Sequence, residues 1–238
     1  MNWWKGFYED STILELLGHG NSYHQVADFI LSQAPISSNS WVFDQCCGNG
    51  RLSHEFVNRG HNVIGVDLSA PSIETARQGS EGTRQSAEFF VEDAFTFVSP
   101  RLAKLGVCWY TSFGYSEHDG QNLLMLKNAC DSIEPEGIYF LDYLNAKFII
   151  NNFKPKIEYD INKMHITRTS EIKNDLMYQA WEGKGADKKF SYKTQVKLYT
   201  QPDLVDLFFK AGFADIQCFG GIDGKKFSET SERCILKG

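Results

Sequence analysis

The run Trp41-Val-Phe-Asp44-Gln-Cys46-Cys47-Gly48-Asn-Gly50-Arg51, followed by His61-Asn-Val-Ile-Gly-Val66-Asp67-Leu68-Ser69, decides the fold of this chain. Apolar Trp41 to Phe43 predict a short buried strand, and Gly48 and Gly50 allow the tight turn and close backbone approach that a ligand needs at a strand's end. Leu52, Phe56 and Val57 at helical spacing predict a helix over 50–59, closed by Gly60. Val63 to Val66 form a second strand whose end carries Asp67. An acidic side chain about twenty residues beyond a glycine turn is placed to accept hydrogen bonds from ribose hydroxyls, as in other doubly wound nucleotide folds.

The third strand extends this edge. Ala87-Glu-Phe-Phe-Val-Glu-Asp93-Ala94 ends in a carboxylate able to accept from an adenine amino group, with the Ala94 N–H as donor to a ring nitrogen and Leu68 as an apolar face for the base. Cys46 stands where a dinucleotide-binding turn has its first glycine, and no helix start is arranged around a pyrophosphate. Three successive strand ends thus carry groups for one adenosine.

The rest of the chain alternates in the same way. Strands are expected near 41–46, 62–67, 87–92, 106–111 and 137–144, with helices near 22–33, 50–59, 70–79 and 119–133 and a short one around 100–104. This rhythm predicts an α/β fold with a mostly parallel, doubly wound sheet and a ligand crevice outside its carboxyl edge. Glu134-Pro-Glu-Gly137 is read as the break before the fifth strand. Beyond Asn145 the period changes to alternation: Met164 to Thr169, Leu176 to Trp181 around an Asn174-Asp175 turn, and Tyr192 to Tyr199 read as a small antiparallel sheet. It either walls an acceptor pocket or serves packing or a homodimer contact.

Composition narrows the partners. With 238 residues, 42% hydrophobic, 23% charged and a net charge of -6, the chain can bury a full core and has no basic footprint for nucleic-acid phosphates. No run is long and apolar enough to span a bilayer, and a cytoplasmic location is expected. The six cysteines show neither C-x-x-C pairing nor histidine partners at zinc-site spacing, so no metal is assigned. Cys108 and Cys234 read as small core hydrophobes and Cys46-Cys47 as a buried strand end. His19, His24, His54, His61 and His165 read as surface or packing residues.

At this level the chain resembles the class I S-adenosylmethionine-dependent methyltransferases, in particular their small-molecule branch. The resemblance rests on the strand-end groups above, on the aromatic segment Trp3-Trp4-Lys-Gly-Phe7-Tyr8-Glu-Asp10, on Thr111-Ser112-Phe113-Gly114-Tyr115, and on the insertion of about 145–200. Tyr199-Thr-Gln-Pro-Asp-Leu204 to Phe213, Phe219 to Gly224 and Ser231-Glu-Arg233 resemble the family's closing elements. It implies one seven-stranded domain over 1–238, with an N-terminal lid and helix over 1–35 and a substrate-pocket insertion over 146–200. S-adenosyl-L-methionine is the implied cofactor, S-adenosyl-L-homocysteine its product, and a small molecule the acceptor. Ser112-Phe113 in place of an Asn/Asp-Pro-Pro-aromatic signature argues against nucleic-acid and protein substrates.

The expected cofactor residues are Tyr23, Asp44, Cys46, Gly48, Gly50, Asp67, Leu68, Asp93, Ala94, Tyr110 and Thr111. Tyr8, Tyr115 and Tyr143 are expected to cage a sulfonium and its acceptor, with Asn145 also on the acceptor. Methyl transfer asks mainly for positioning and water exclusion; His118 is the candidate general base, although Ser116 to Asp119 also reads as a helix N-cap. The competing functions are a nicotinamide-dependent oxidoreductase, opposed by the altered glycine spacing, and a non-catalytic S-adenosylmethionine-binding module, opposed by the intact Asp67 and Asp93.

Overall fold

In the computed structural model, which describes residues 3–17 and 23–238, the apolar runs pair as the spacing requires. The chain passes through α1 (Trp3–Phe7), α2 (Ser11–Leu17), α3 (Tyr23–Gln33), β1 (Trp41–Gln45), α4 (Arg51–Asn58), β2 (Asn62–Asp67), α5 (Ala70–Gly79), β3 (Ala87–Val91) and β4 (Ala103–Cys108). It continues with α6 (Asp119–Cys130), β5 (Ile133–Leu144), α7 (Ala146–Asn151), β6 (Lys156–Ile161), β7 (Met164–Lys173), β8 (Leu176–Lys184), β9 (Lys189–Lys197), α8 (Gln201–Ala211), β10 (Gln217–Phe219) and β11 (Arg233–Lys237). Ser22, expected to start the first long helix, and His19 lie outside the described residues.

The large sheet has the order β10-β11-β5-β4-β1-β2-β3, parallel from β5 to β3, with β11 antiparallel to β5 and to β10. Its central strands β1, β2 and β4 are largely buried on both faces, so successive apolar residues feed different layers. Val42, Val63, Leu105, Val107 and Phe140 meet Phe29 and Ile30 of α3 and Leu52 and Phe56 of α4. Phe43, Ile64 and Leu141 face Met125 and Leu126 of α6 and Leu204 and Phe208 of α8. The strand order reverses between β1 and β4, and that switch point opens the crevice at the carboxyl edge.

Three expected elements are corrected. No helix forms at 100–104; the chain enters β4 at Ala103, two residues after Arg101, because Ala103, Leu105 and Val107 alternate into the core. β4 then ends at Cys108 rather than at 111, since Tyr110 and Thr111 take left-handed backbone (φ 58° and 61°) that no strand accommodates. β5 starts at Ile133 and runs through Pro135, which is tolerated because the pairing with β4 shifts register between Ala103 and Leu105.

The insertion forms a separate antiparallel sheet in the order β6-β7-β8-β9. Its β7–β8 turn falls at Asn174-Asp175 as expected, with Lys173 opposite Leu176 and Asn174 at φ 56°. β6 escaped the sequence reading because it is an edge strand exposed at most positions, and only Ile157, Tyr159 and Ile161 carry its alternation. The aromatic N-terminal segment is anchored on this sheet: Phe7 and Ile13 pack with Met164, Ile166 and Phe190, and the Tyr192 hydroxyl donates to Asp10 Oδ2 at 2.7 Å. Among the described residues no helix is long and apolar enough to cross a membrane.

Candidate active site

The loops after β1, β2, β3 and β4 converge on a cavity of about 420 Å³. Its wall brings together Asp44, Cys46, Gly48, Asp67, Leu68, Asp93, Ala94 and Tyr110, with Tyr23 from α3 and Tyr8 and Trp4 from the N-terminal segment. Cys46 sits at φ 63°, the backbone region that favours glycine, so the turn keeps its left-handed geometry at the cost of placing a β-carbon there. Asp67 Oδ2 accepts from Gly48 N and Oδ1 from Ser69 N, both at 2.9 Å. A carboxylate has about four acceptor sites, so acceptor capacity remains for a ligand. Asp93 Oδ1 accepts from Phe95 N at 3.0 Å, which leaves this carboxylate more spare acceptor capacity than Asp67. Glu92, the alternative to Asp93 in the sequence, is exposed and absent from the wall.

Burial sets the electrostatics of this cavity. Asp44 accepts from Ser53 Oγ at 2.6 Å, yet loss of water and the nearby Asp67 push its pKa up to about 7. Burial likewise raises Asp67, against the pull of the Ser69 and Gly48 amides. A cationic ligand relieves this pair of desolvated acids, whereas a pyrophosphate would add to their repulsion.

A second cavity, of about 620 Å³, lies between α1, α7 and the small sheet. Tyr8, Tyr110 and Tyr115 line both cavities. At this junction the Tyr8 and Tyr115 hydroxyls are 2.7 Å apart and their rings stack at 6.1 Å, with the Trp3 ring 4.8 Å from Tyr115. Burial pushes the Tyr8 phenol up to about 12 and that of Tyr115 well above its usual value.

A family model described as a methyltransferase domain matches residues 42–137, the stretch from β1 to the start of β5 that builds the first cavity's carboxyl edge. That stretch resembles a methyltransferase domain, and the chain as a whole has the fold of S-adenosylmethionine-dependent methyltransferases. It is 21% identical over 234 residues to the putative methyltransferase YqeM of Bacillus subtilis (strain 168), covering 94% of this chain and 92% of that one. To the ubiquinone biosynthesis O-methyltransferase of Actinobacillus pleuropneumoniae serotype 7 (strain AP76) it is 25% identical over 122 residues, and it spans about half the length of that relative (51%) and half of itself (50%). In fold it is similar to an S-adenosylmethionine-dependent methyltransferase from Clostridium acetobutylicum ATCC 824, with a TM-score of 0.80 at 16% identity over 94% of both chains. The sugar N-methyltransferase KedS8 from Streptoalloteichus sp ATCC 53650 gives 0.75 at 16% identity, covering 97% of this chain and 92% of that one.

Several residues expected at the site of this methyltransferase lie elsewhere. His118 is exposed and is the N-cap residue of α6, its N–H bonded to Ser116 Oγ at 3.1 Å; it lines neither cavity. Its side chain makes no capping hydrogen bond, and as an exposed residue away from both cavities His118→Ala is expected to leave turnover within about twofold of wild type, as for other surface changes. A larger fall measured across neutral pH would restore it as a base. Tyr143 is fully buried, its hydroxyl donating to the Lys197 carbonyl, and lines neither cavity. Asn145 caps α7 and donates to the carbonyls of Ser228, Glu229 and Ser231, tying down the loop before β11. Gly50 stands behind the first cavity: a β-carbon there would come within 2.8 Å of Ala76 Cβ, so the glycine serves α4–α5 packing. Thr111 lines only the second cavity.

Two residues of the candidate site were not expected from the sequence. Arg51 and Phe95 line the first cavity, Arg51 lying 5.8 Å over the Tyr23 ring and Phe95 packed 5.7 Å from Trp4 of the expected lid. Arg51 directly follows the glycine turn, a signal available in the sequence. Arg233 stands in the quoted Ser231-Glu-Arg233 motif, but nothing there assigned it a partner: its guanidinium donates from Nε to Asp142 Oδ1 at 2.8 Å and from Nη2 to Oδ2 at 2.7 Å, and Nη2 also reaches Thr111 Oγ1 at 2.7 Å. Asp142 Oδ2 takes the Tyr110 N–H at 3.0 Å as well, so this pair holds the left-handed Tyr110-Thr111 turn between the two cavities.

Proposed function

We propose that this methyltransferase moves a methyl group to a nitrogen or oxygen of a small-molecule metabolite, with an amine ahead of a hydroxyl. The observation that carries the reading is the junction of the two cavities at Tyr8, Tyr110 and Tyr115. S-adenosylmethionine supplies the methyl on a sulfonium that is already activated for transfer. In the first cavity Asp67 accepts from the ribose hydroxyls, Asp93 from the adenine amino group, Ala94 donates through its backbone and Leu68 covers the base. Asp44, Cys46, Gly48, Tyr23 and Tyr110 enclose the remainder of the cofactor, while Gly50 and Thr111 shape that wall from behind.

Tyr8 and Tyr115 present aromatic faces suited to a cation and close the junction to water. Their raised pKa values keep both phenols protonated near neutral pH. They hold lone pairs towards an acceptor N–H but take no proton from it. A neutral amine attacks with its own lone pair and sheds its proton afterwards, whereas an alcohol gains most from losing its proton first, and this favours nitrogen. The description of KedS8 as a sugar N-methyltransferase agrees with the amine; that of the ubiquinone biosynthesis relative keeps oxygen as the second reading. Such analogies carry less weight than the site itself.

The test has two stages. Calorimetry is expected to show S-adenosylhomocysteine binding and NAD failing to bind; the reverse result overturns the reading. A panel of small amines and phenols, followed by S-adenosylhomocysteine release, is then expected to give turnover with amines. Release with phenols alone would favour oxygen instead.

A further inference from the structure

The second cavity holds a cation that no described side chain neutralises. Arg168 lies on β7, opposite Ile157 of β6 and Trp181 of β8, and all three line the cavity. Its guanidinium carbon sits 4.8 Å from the centre of the Trp181 ring. The Nε is shut off from solvent and has no hydrogen-bond partner, and among the described residues no carboxylate pairs with the guanidinium. The acids of β6 are engaged elsewhere, Glu158 with Lys156 at 2.8 Å and Asp160 with His165 at 2.9 Å. The described lining residues include Lys154 and no acid. Two more buried donors on this wall lack partners, Trp3 Nε1 and the Tyr110 hydroxyl.

A half-buried guanidinium without a counter-charge opposes folding, because its lost hydration is not repaid. A ligand that supplies the missing charge repays it, and the planar guanidinium fork matches carboxylate and phosphate oxygens. Trp181, stacked under the guanidinium and itself held by its Nε1 donating to Thr194 Oγ1 at 3.2 Å, presents that fork in a fixed orientation. The cavity, at about 620 Å³, is large enough for a metabolite that reaches from Arg168 to the tyrosine junction.

We infer that the acceptor carries an anionic group, a carboxylate or a phosphate monoester, and that Arg168 binds it at the far wall while the group to be methylated lies against Tyr8 and Tyr115. Trp3 and Tyr110 then donate to neutral polar atoms of the same molecule. The inference rests on the reading of this cavity as the acceptor site, and selectivity for charge follows from one residue of the insertion.

The test uses the full chain saturated with S-adenosylhomocysteine and three probes titrated by calorimetry: benzoate, phenyl phosphate and benzyl alcohol. At least one anion is expected to bind about tenfold or more tighter than the alcohol, as a charge-assisted hydrogen bond implies, and which anion it is separates carboxylate from phosphate. Arg168→Gln is expected to abolish that preference while leaving S-adenosylhomocysteine affinity unchanged and Tm no lower than in the wild type, and Arg168→Lys to retain part of it. Anions that bind no tighter than benzyl alcohol to the wild type, or a preference that survives in Arg168→Gln, overturn the inference. Failure of S-adenosylhomocysteine itself to bind strikes at the proposed function instead.

Discussion

Asp67→Ala is expected to weaken S-adenosylhomocysteine binding by about a hundredfold or more in calorimetric titration. The proposed ribose contacts are two hydrogen bonds to a buried carboxylate, each worth about 1.5–3 kcal/mol, and about 1.4 kcal/mol is a factor of ten in affinity. The same carboxylate already accepts from the Gly48 and Ser69 amides. Truncation therefore also leaves these donors unpartnered, at a cost of about 1–3 kcal/mol each where they are buried, and the ligand-free Tm should fall with the affinity. Asp67→Asn is the milder variant: it keeps one acceptor oxygen and the side-chain shape but sets its NH2 against one of the two backbone amides, so it should recover part of the Tm and part of the affinity. Unchanged affinity in both variants would remove Asp67 from the site.

Arg233→Ala is expected to be the most damaging single change to stability among the residues that shape the junction. Asp142 is 3% exposed and accepts two hydrogen bonds from Arg233. Removing one partner of such a pair leaves a buried charge and costs about 3–5 kcal/mol, which in a chain of this size lowers Tm by roughly 10 °C. The Tyr110-Thr111 turn loses its clamp at the same time, because Thr111 Oγ1 is held by Arg233 and the Tyr110 N–H by Asp142. Affinity for S-adenosylhomocysteine should fall in the fraction that stays folded. Combining Arg233→Met with Asp142→Asn removes both charges and is expected to recover much of the loss. Thermal denaturation followed by circular dichroism decides the matter, and a shift of less than about 2 °C for Arg233→Ala would show that water already screens the pair.

The sequence determined whatever depends on neighbours along the chain. Two-residue and 3.6-residue periodicity placed the parallel strands and their helices, the glycine turn located the switch-point crevice, and Asp67 and Asp93 were legible because strand ends in such a sheet converge by topology alone. The exchange of a glycine for Cys46 did not mislead the reading, since the backbone keeps the left-handed turn. Local pattern was silent wherever a side chain's partner lies far away in sequence. His118 and Tyr143 carry suitable chemistry, but packing turns the first outward at the α6 cap and spends the hydroxyl of the second on a carbonyl of β9. The meeting of Tyr8 with Tyr115 needs the N-terminal segment docked beside the large sheet, the Arg233–Asp142 clamp needs β11 paired with β5, and the setting of Arg168 beside Trp181 needs the strands of the insertion paired. Tertiary structure decided these because a hydrogen bond or an ion pair is set by distance and burial in space, and no residue period along the chain encodes either one.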